Sequence, residues 1–466
     1  MFYALPSRFW LMFSSVSVSR QVYNDSSGSF YEVPVLHTET GYFDSLLDYC
    51  LEKRGKSTVW MRKLVHSVQL LLEYVYVNPH EQNNEQLFKN FASKLQTGTF
   101  NPQTGHDPSR LGWRPRTPYD VQQIITRLSD FLDWLSQRDS SVIVANPRVR
   151  MSATDKAIRG CAETYRRRYT LLGHIWKPPT DTEQTTRAVG GSSGPRVTGE
   201  PPAFPDERFE ELLERGFTIG GRTNYRDQAI TLLMHGGGFR VSEPMHIYIG
   251  DVTRDPSNYL RAHVRIHHPS LGEAPGDLLD ERGRPIRCGR AEYLQRKYGL
   301  APRIDLMSKR EAGWKGVALD GKYYLVPFWF KPDYAELFMQ IWEKYMEEVA
   351  DIPLNQRRHP YAFMNLRREP KGSIYALDKF ITSHGRACER IGLQVAKHLG
   401  TTPHGHRHSY GRRLAAAGIP HNLIKKCMHH ATEQSQEVYT TSTTQEALVA
   451  LEAGFQRMRF NTGISK

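Results

Sequence analysis

Apolar residues between Ser57 and Val77 recur at helical spacing. Trp60, Met61, Leu64, Val68, Leu71, Leu72 and Val75 share one face, and Ser57 stands where an N-cap hydroxyl belongs. A second stripe, Val121, Ile124, Ile125, Leu128, Leu132 and Leu135, starts after Thr117-Pro118, a capping residue followed by a proline suited to the first helical position. These patterns predict a helical domain over 45–176, preceded by an N-terminal extension over 1–44. From 177 to 205 the chain is rich in Pro, Gly, Ser and Thr without apolar periodicity, which predicts a flexible linker. Beyond it the periods mix. A helix is predicted around 224–235, a strand by the alternation of Leu260, Ala262, Val264 and Ile266, and another strand from Tyr323 to Phe328. Further helices follow around 333–349, around 375–391, and up to about Gly418. The expected fold class is mainly α with a small β-sheet: a helical N-terminal domain, then an α+β domain over 206–445 and a tail over 446–466.

Length agrees with this division, since 466 residues exceed one hydrophobic core. The segment from Phe2 to Val18 is apolar in part, but Pro6, Arg8 and several serines interrupt it too often for a membrane span or a secretory signal. Five scattered cysteines, Cys50, Cys161, Cys288, Cys388 and Cys427, form no Cys-x-x-Cys pair, which argues against a disulfide framework or zinc ribbon and fits a reducing cytoplasm. A soluble chain, with no membrane partner, is expected.

Charge narrows the partners. Lys and Arg number 62 against 49 Asp and Glu, a net +13, and the pI is about 9.4. Such an excess suits phosphate backbones, although a basic membrane-surface protein has the same balance. Arg148, Arg150, Lys156, Arg159 and the run Arg166-Arg167-Arg168, between Tyr165 and Tyr169, form a basic segment with interleaved aromatics. It reads either as a grip on a DNA backbone or as a solvated helix face.

Several motifs fail on context. Gly190-Gly191-Ser192-Ser193-Gly194 matches a nucleophile elbow and His235-Gly236-Gly237-Gly238 an oxyanion motif, but the serine lies in the linker and the order along the chain is reversed. His404, His406, His408, His429 and His430 could in principle ligate a metal. No H-E-x-x-H helix or carboxylate partner accompanies them, so no metal site is expected.

The segment from 403 to 440 makes a coherent unit. It holds Pro403-His404-Gly405-His406-Arg407-His408, a helix, Ile424-Lys425-Lys426-Cys427-Met428-His429-His430, and then Val438-Tyr439-Thr440, with Tyr439 nine residues after His430. Upstream lies Gly238-Phe239-Arg240-Val241-Ser242-Glu243, followed by Asp251-Val252. Together these resemble the tyrosine recombinase (phage integrase) family over about 206–445: a T-G-x-R-x-S-E-like turn, an H-x-x-R helix, an L-G-H-like run and a tyrosine. The Arg-Val-Ser-Glu-Pro turn and Trp-Lys-Gly hairpin are also similar to the recombinases of gamma-mobile-trio elements.

The resemblance implies a site-specific DNA recombinase with a helical core-binding domain and a catalytic domain clamping duplex DNA. Tyr439 is then the nucleophile that forms a 3′-phosphotyrosyl bond, without metal, ATP or other cofactor. Arg240 and Arg407 hold the phosphate, His404 shuttles the tyrosine proton, and His430 donates to a phosphate oxygen. His429 stands where the family usually has glycine, so either histidine is a candidate, and the ungapped alignment favours His430. Lys315 in Gly313-Trp314-Lys315-Gly316 is the first choice for general acid, with Lys322 second. Glu243 is expected to buttress Arg240, and Arg166, Arg167 and Arg168 to contact DNA. A homotetramer on DNA, docked in part through Ala447, Leu448, Leu451, Phe455 and Met458, element-encoded accessory proteins and a bacterial cytoplasm at the nucleoid complete what the family implies. The same site also serves DNA-relaxing and hairpin-resolving enzymes. A non-catalytic DNA-binding protein and a histidine-based metalloenzyme are the other classes considered.

Overall fold

The computed structural model describes residues 15–23, 30–81, 83–139, 145–150, 157, 161, 185–189 and 201–430. Contacts divide the chain into two compact units, one of Met1–Arg20 with Val33–Val197 and the other of Gln21–Glu32 with Thr198–Lys466. Both are built mainly from helices, with short antiparallel strand pairs.

Strands β1 (Val16–Tyr23), β2 (Phe30–Thr38) and β3 (Gly41–Tyr42) form a three-stranded sheet within the expected extension. In the first unit, Val33, Val35 and Leu36 of β2 are buried. Helices α1 (Asp44–Glu52), α2 (Thr58–Val77), α3 (Asn84–Thr97) and α4 (Pro118–Arg138) supply the rest of its core. The predicted caps are present: the Ser57 hydroxyl accepts from Trp60 N, and the Thr117 hydroxyl from Asp120 N. Most of the predicted stripes face inward, with Leu64, Val68, Ile124 and Leu128 buried and Trp113 packed against Tyr74 and Phe91, whereas Val75 is exposed.

Part of the expected linker is ordered. β4 (Arg148–Arg150) pairs antiparallel with β5 (Thr185–Arg187), and Arg187 forms a bidentate bond with Asp133. The buried Asn146 side chain also bridges to both Val189 N and O. Three residues paired with three others far along the chain leave no periodicity in the sequence, which is why composition alone suggested none.

The second unit is built around α5 (Tyr225–Gly237), in which every residue from Asp227 to Gly237 is buried. A helix enclosed all round belongs at the centre of a layer structure. β6 (Thr218–Ile219) and β7 (Arg222–Thr223) precede it, and the hairpin β8 (Val252–Asp255) with β9 (Asn258–Val264) follows. β10 (Ile266–His267) pairs with β11 (Tyr324–Leu325). The strand expected from Tyr323 to Phe328 shrinks to those two residues. Tyr323 adopts a φ of 64°, the Asp320 carboxylate takes the Val326 N–H, and Pro327 has no N–H for a ladder.

Between β10 and β11 the chain makes an excursion of more than fifty residues containing α6 (Arg290–Tyr298). Its Tyr293 and Leu294 pack into a small second core with Tyr248, Tyr361 and Ile374 from outside it. Two buried arginines moor it. Arg290 pairs with Asp251 at 2.5 Å and donates to His246 O and Glu273 O, and Arg303 donates to Met245 O, Arg310 O and Tyr375 O. Helices α7 (Asp333–Ala350), α8 (Leu377–Arg390), α9 (Pro403–Ala416) and α10 (His421–Cys427) complete the unit. Its core joins Ile230 and Leu233 of α5 with Phe338, Trp342, Tyr345, Phe363 and Phe380.

Removing one member of a buried ion pair strands the other, at a cost of about 3–5 kcal/mol. Asp251→Ala is therefore expected to lower the stability of the second unit by about that amount, read as the urea midpoint multiplied by the slope of unfolding. A variant with an unchanged midpoint would show that Arg290 is held adequately by the carbonyls alone.

Candidate active site

Helix α5 ends at Gly238, whose φ of 71° is left-handed and whose Cβ, if present, would lie 2.4 Å from the Tyr410 ring. Only glycine satisfies both conditions. The chain then turns through Arg240. The Glu243 carboxylate, fully buried, accepts from both Arg240 N and Arg240 Nη1 at 2.8 Å. A carboxylate bonded at both ends of one residue sets the direction in which that guanidinium leaves the backbone.

Helix α9 supplies the second arginine. Pro403 occupies its first turn, and Gly405 has no room for a side chain because a Cβ would meet Gly400 O at 1.7 Å. His404, Arg407 and His408 fall on one face of the helix, spaced three and four residues apart. Arg407 is buried and donates through Nη1 to Gly238 O at 2.5 Å and through Nη2 to Met428 O at 2.6 Å. It thus spans from the Arg240 turn to the segment leading into His429 and His430.

The two adjacent histidines have different places. His429 is fully buried with a φ of 54°. That left-handed backbone costs an L-residue about 1–2 kcal/mol relative to glycine, which explains why glycine suits the position. Its Nε2–H donates to Asp320 Oδ2 at 2.9 Å and Val326 O at 3.0 Å, and its ring stacks on Phe239. His430 lies instead among the arginines: burial, Arg407 and Arg240 push its imidazole down to about 3. Desolvation, then the charges of Arg407, Lys315 and Arg240, likewise hold His404 at about 4. Both rings are neutral at ordinary pH. Each is also within electrostatic reach of both arginines, so these four side chains converge.

Lys315 joins them through backbone pairing, because Val317, two residues on, bridges to His430, and Ala318 N donates to His429 O. Lys322, in the exposed turn before Tyr324, sits at the far end of the same hairpin. Tyr439 and the run Arg166, Arg167 and Arg168 lie outside the described residues.

Sequence reasoning missed a buried histidine chain beneath the site. His406, on the opposite face of α9 from His404, stacks on Phe204. Arg413 can only donate, and it bonds His235 Nε2, so His235 must carry its proton on Nδ1. That proton goes to His406 Nδ1 at 3.1 Å, leaving His406 Nε2–H to donate to His384 Nε2 at 2.7 Å. Every tautomer along the chain follows from the arginine at its end. Burial pushes His235 and His406 well below their ordinary value and His384 down to about 4. The signal in the sequence was the i, i+4, i+7 spacing of His406, Tyr410 and Arg413, a second stripe on a helix already assigned to the site.

No family model matches the chain. Among curated proteins it is similar to the tyrosine recombinase XerA of Pyrococcus horikoshii, at 22% identity over 254 residues, which cover 54% of this chain and 62% of that protein. The chain thus spans less than two thirds of the relative's length. Solved structures that align with it include the XerH site-specific recombinase bound to palindromic difH substrate. That alignment has a TM-score of 0.48 and 12% identity, and covers 87% of this chain and 83% of the other. The Tn1549 transposon integrase in complex with circular intermediate DNA aligns with a TM-score of 0.32 and 15% identity, over 83% and 99% of the two chains.

The neutral histidine chain carries a pH prediction. Its folded pKa values lie below the unfolded value of 6.5, so between these values the unfolded state binds more protons. Stability should be level above about pH 7 and fall as pH drops from 6.5 toward 4, by about 1.4 kcal/mol per pH unit for each histidine. Urea midpoints at pH 7.5, 6 and 5 test this, and a level midpoint would contradict neutral, buried rings.

Proposed function

We propose that this chain is a tyrosine recombinase, a site-specific DNA recombinase that breaks and rejoins duplex DNA to integrate or excise a mobile element. The observation that carries the reading is the convergence of Arg240, Arg407, His404 and His430, with the Lys315 hairpin paired to His430. The net charge of +13 suits a phosphate-rich partner.

In this reading the Tyr439 oxygen attacks the scissile phosphorus as the bond from phosphorus to the 5′ oxygen breaks. A 3′-phosphotyrosyl link replaces the phosphodiester. Phenol, with a pKa of about 10, can leave again when a 5′-hydroxyl of the partner strand attacks, so the bond count is conserved and no ATP is consumed. The neutral His404 accepts the phenol proton, a role for which a pKa near 4 leaves it available at neutral pH. Arg240 and Arg407 offer planar forks to the two non-bridging oxygens, and His430 gives an N–H to one of them. Lys315 Nζ, rather than that of Lys322, supplies the proton taken up by the departing 5′ oxygen. Glu243 keeps Arg240 aimed, and Arg166, Arg167 and Arg168 hold the flanking backbone. The working form is a homotetramer on DNA, helped by element-encoded accessory proteins, in a cytoplasm at the nucleoid.

The test incubates wild type and Tyr439→Phe with nicked suicide duplexes carrying the ends of the chain's own element, with chelator present. Wild type should become covalently joined to the 3′ phosphate and the variant should not. Arg240→Lys should slow the joining by about 100- to 1,000-fold, the usual loss when one oxyanion donor is removed. An adduct retained by Tyr439→Phe would overturn the nucleophile, and activity lost with chelator would favour a metalloenzyme. Product topology separates recombination from relaxation or hairpin resolution.

A further inference from the structure

We propose that Asp320 and His429 form a clasp that positions Lys315 for protonating the departing 5′ oxygen, an inference that rests on Lys315 being the general acid. Lys315 is exposed and lies between Gly313 and Gly316, neither of which has an atom within 4 Å of where a Cβ would stand. Trp314 packs on His246 and His268 and holds the backbone on one side of Lys315, but on the other side, past the open Gly316, the position of so long a side chain is not fixed locally. It must be set by whatever anchors the hairpin.

The anchor lies five residues on. The Asp320 side chain is only 8% exposed, and its Oδ2 accepts from both His429 Nε2 and Val326 N at 2.9 Å. The same histidine N–H reaches Val326 O at 3.0 Å. One carboxylate and one imidazole therefore tie together the two ends of the hairpin and the residue preceding His430. Two further ties between these segments are from backbone, Ala318 N to His429 O and Val317 opposite His430. Backbone pairing by itself tolerates a slip of register, and a slip of one residue turns every side chain to the other face. The bond from Asp320 to His429 is specific to these two side chains and forbids that slip.

His429 also holds a backbone angle that glycine would adopt more readily. Its ring, flat on Phe239 and aimed at Asp320, is what the site gains by having histidine there. Neither residue touches the arginine cluster through its bonded atoms, so both are positioning residues. A purely structural role and a role through Lys315 differ in one measurable respect, the dependence on the leaving group.

The full chain is assayed on two suicide duplexes, identical except that sulfur replaces the 5′-bridging oxygen in one. A thiol, with a pKa of about 8.5, leaves as thiolate without needing a proton, whereas an alkoxide needs one. Asp320→Asn and His429→Gly are expected to slow adduct formation on the oxygen duplex by about a hundredfold, the effect of a misplaced catalytic group. On the sulfur duplex both should recover the wild-type rate, as should the control Lys315→Ala. His429→Gly is compatible with the backbone because glycine adopts the φ of 54° freely, and a single cooperative urea transition establishes that the variant is folded. If Lys315→Ala stays slow on sulfur, the assignment of the general acid fails. If that control recovers while Asp320→Asn and His429→Gly stay equally slow on both duplexes, the clasp is overturned. Full activity of His429→Gly on oxygen overturns it as well.

Discussion

Arg407 carries a permanent charge into the interior of the second unit and binds two backbone carbonyls there, Gly238 O and Met428 O. Hydrogen bonds from a charged donor are worth about 1.5–3 kcal/mol each, more than neutral ones. Their placement matters as much as their strength. Gly238 precedes Arg240 by two residues and Met428 precedes His430 by two, so one guanidinium gauges the distance between segments nearly two hundred residues apart. The glycine at 238, which lets Tyr410 lie against the backbone, and the carboxylate of Glu243, which aims Arg240, refine a geometry that Arg407 first makes.

The histidines show how one residue type is put to different uses by burial and partners. His404 and His430 are neutral because they are buried and because two arginines stand beside them, an arrangement that leaves the imidazoles able to accept or share protons while the guanidinia keep the charge. His235, His406 and His384 are neutral because they are enclosed, and their single ordered set of tautomers joins α5, α8 and α9 below the site. His429 spends its one donor on Asp320. Cations beside neutral, oriented donors make a place suited to a phosphate dense in negative charge, and the nearby Glu243 carboxylate is already paired with Arg240.

The excursion between β10 and β11 gives the hairpin of Lys315 a foundation. Arg303 reaches from it to Met245, just past the Arg240 turn, and to Tyr375. Arg290 secures its helix to Asp251. Buried arginines bonded to carbonyls on several segments resist rearrangement because each broken bond exposes a charge that has nowhere else to go.

The amphipathic helices were legible in sequence because the 3.6-residue period and the caps at Ser57 and Thr117 are local properties, set within a few residues of each other. The candidate site was legible for a different reason. Arg240, Glu243, His404, Arg407 and His430 sit in short runs whose internal spacing follows the turns that carry them. What lay beyond the sequence depended on partners far along the chain. Asp320 meeting His429, Arg413 dictating the tautomer of His235, and β4 finding β5 are contacts between residues separated by dozens of positions. No period or cap records them. The sequence by itself determined where the main helices lie and which short runs hold the candidate residues. Tertiary structure alone decided which of two adjacent histidines faces the arginines, because the left-handed turn at His429 and its buried carboxylate partner exist only once the hairpin has docked.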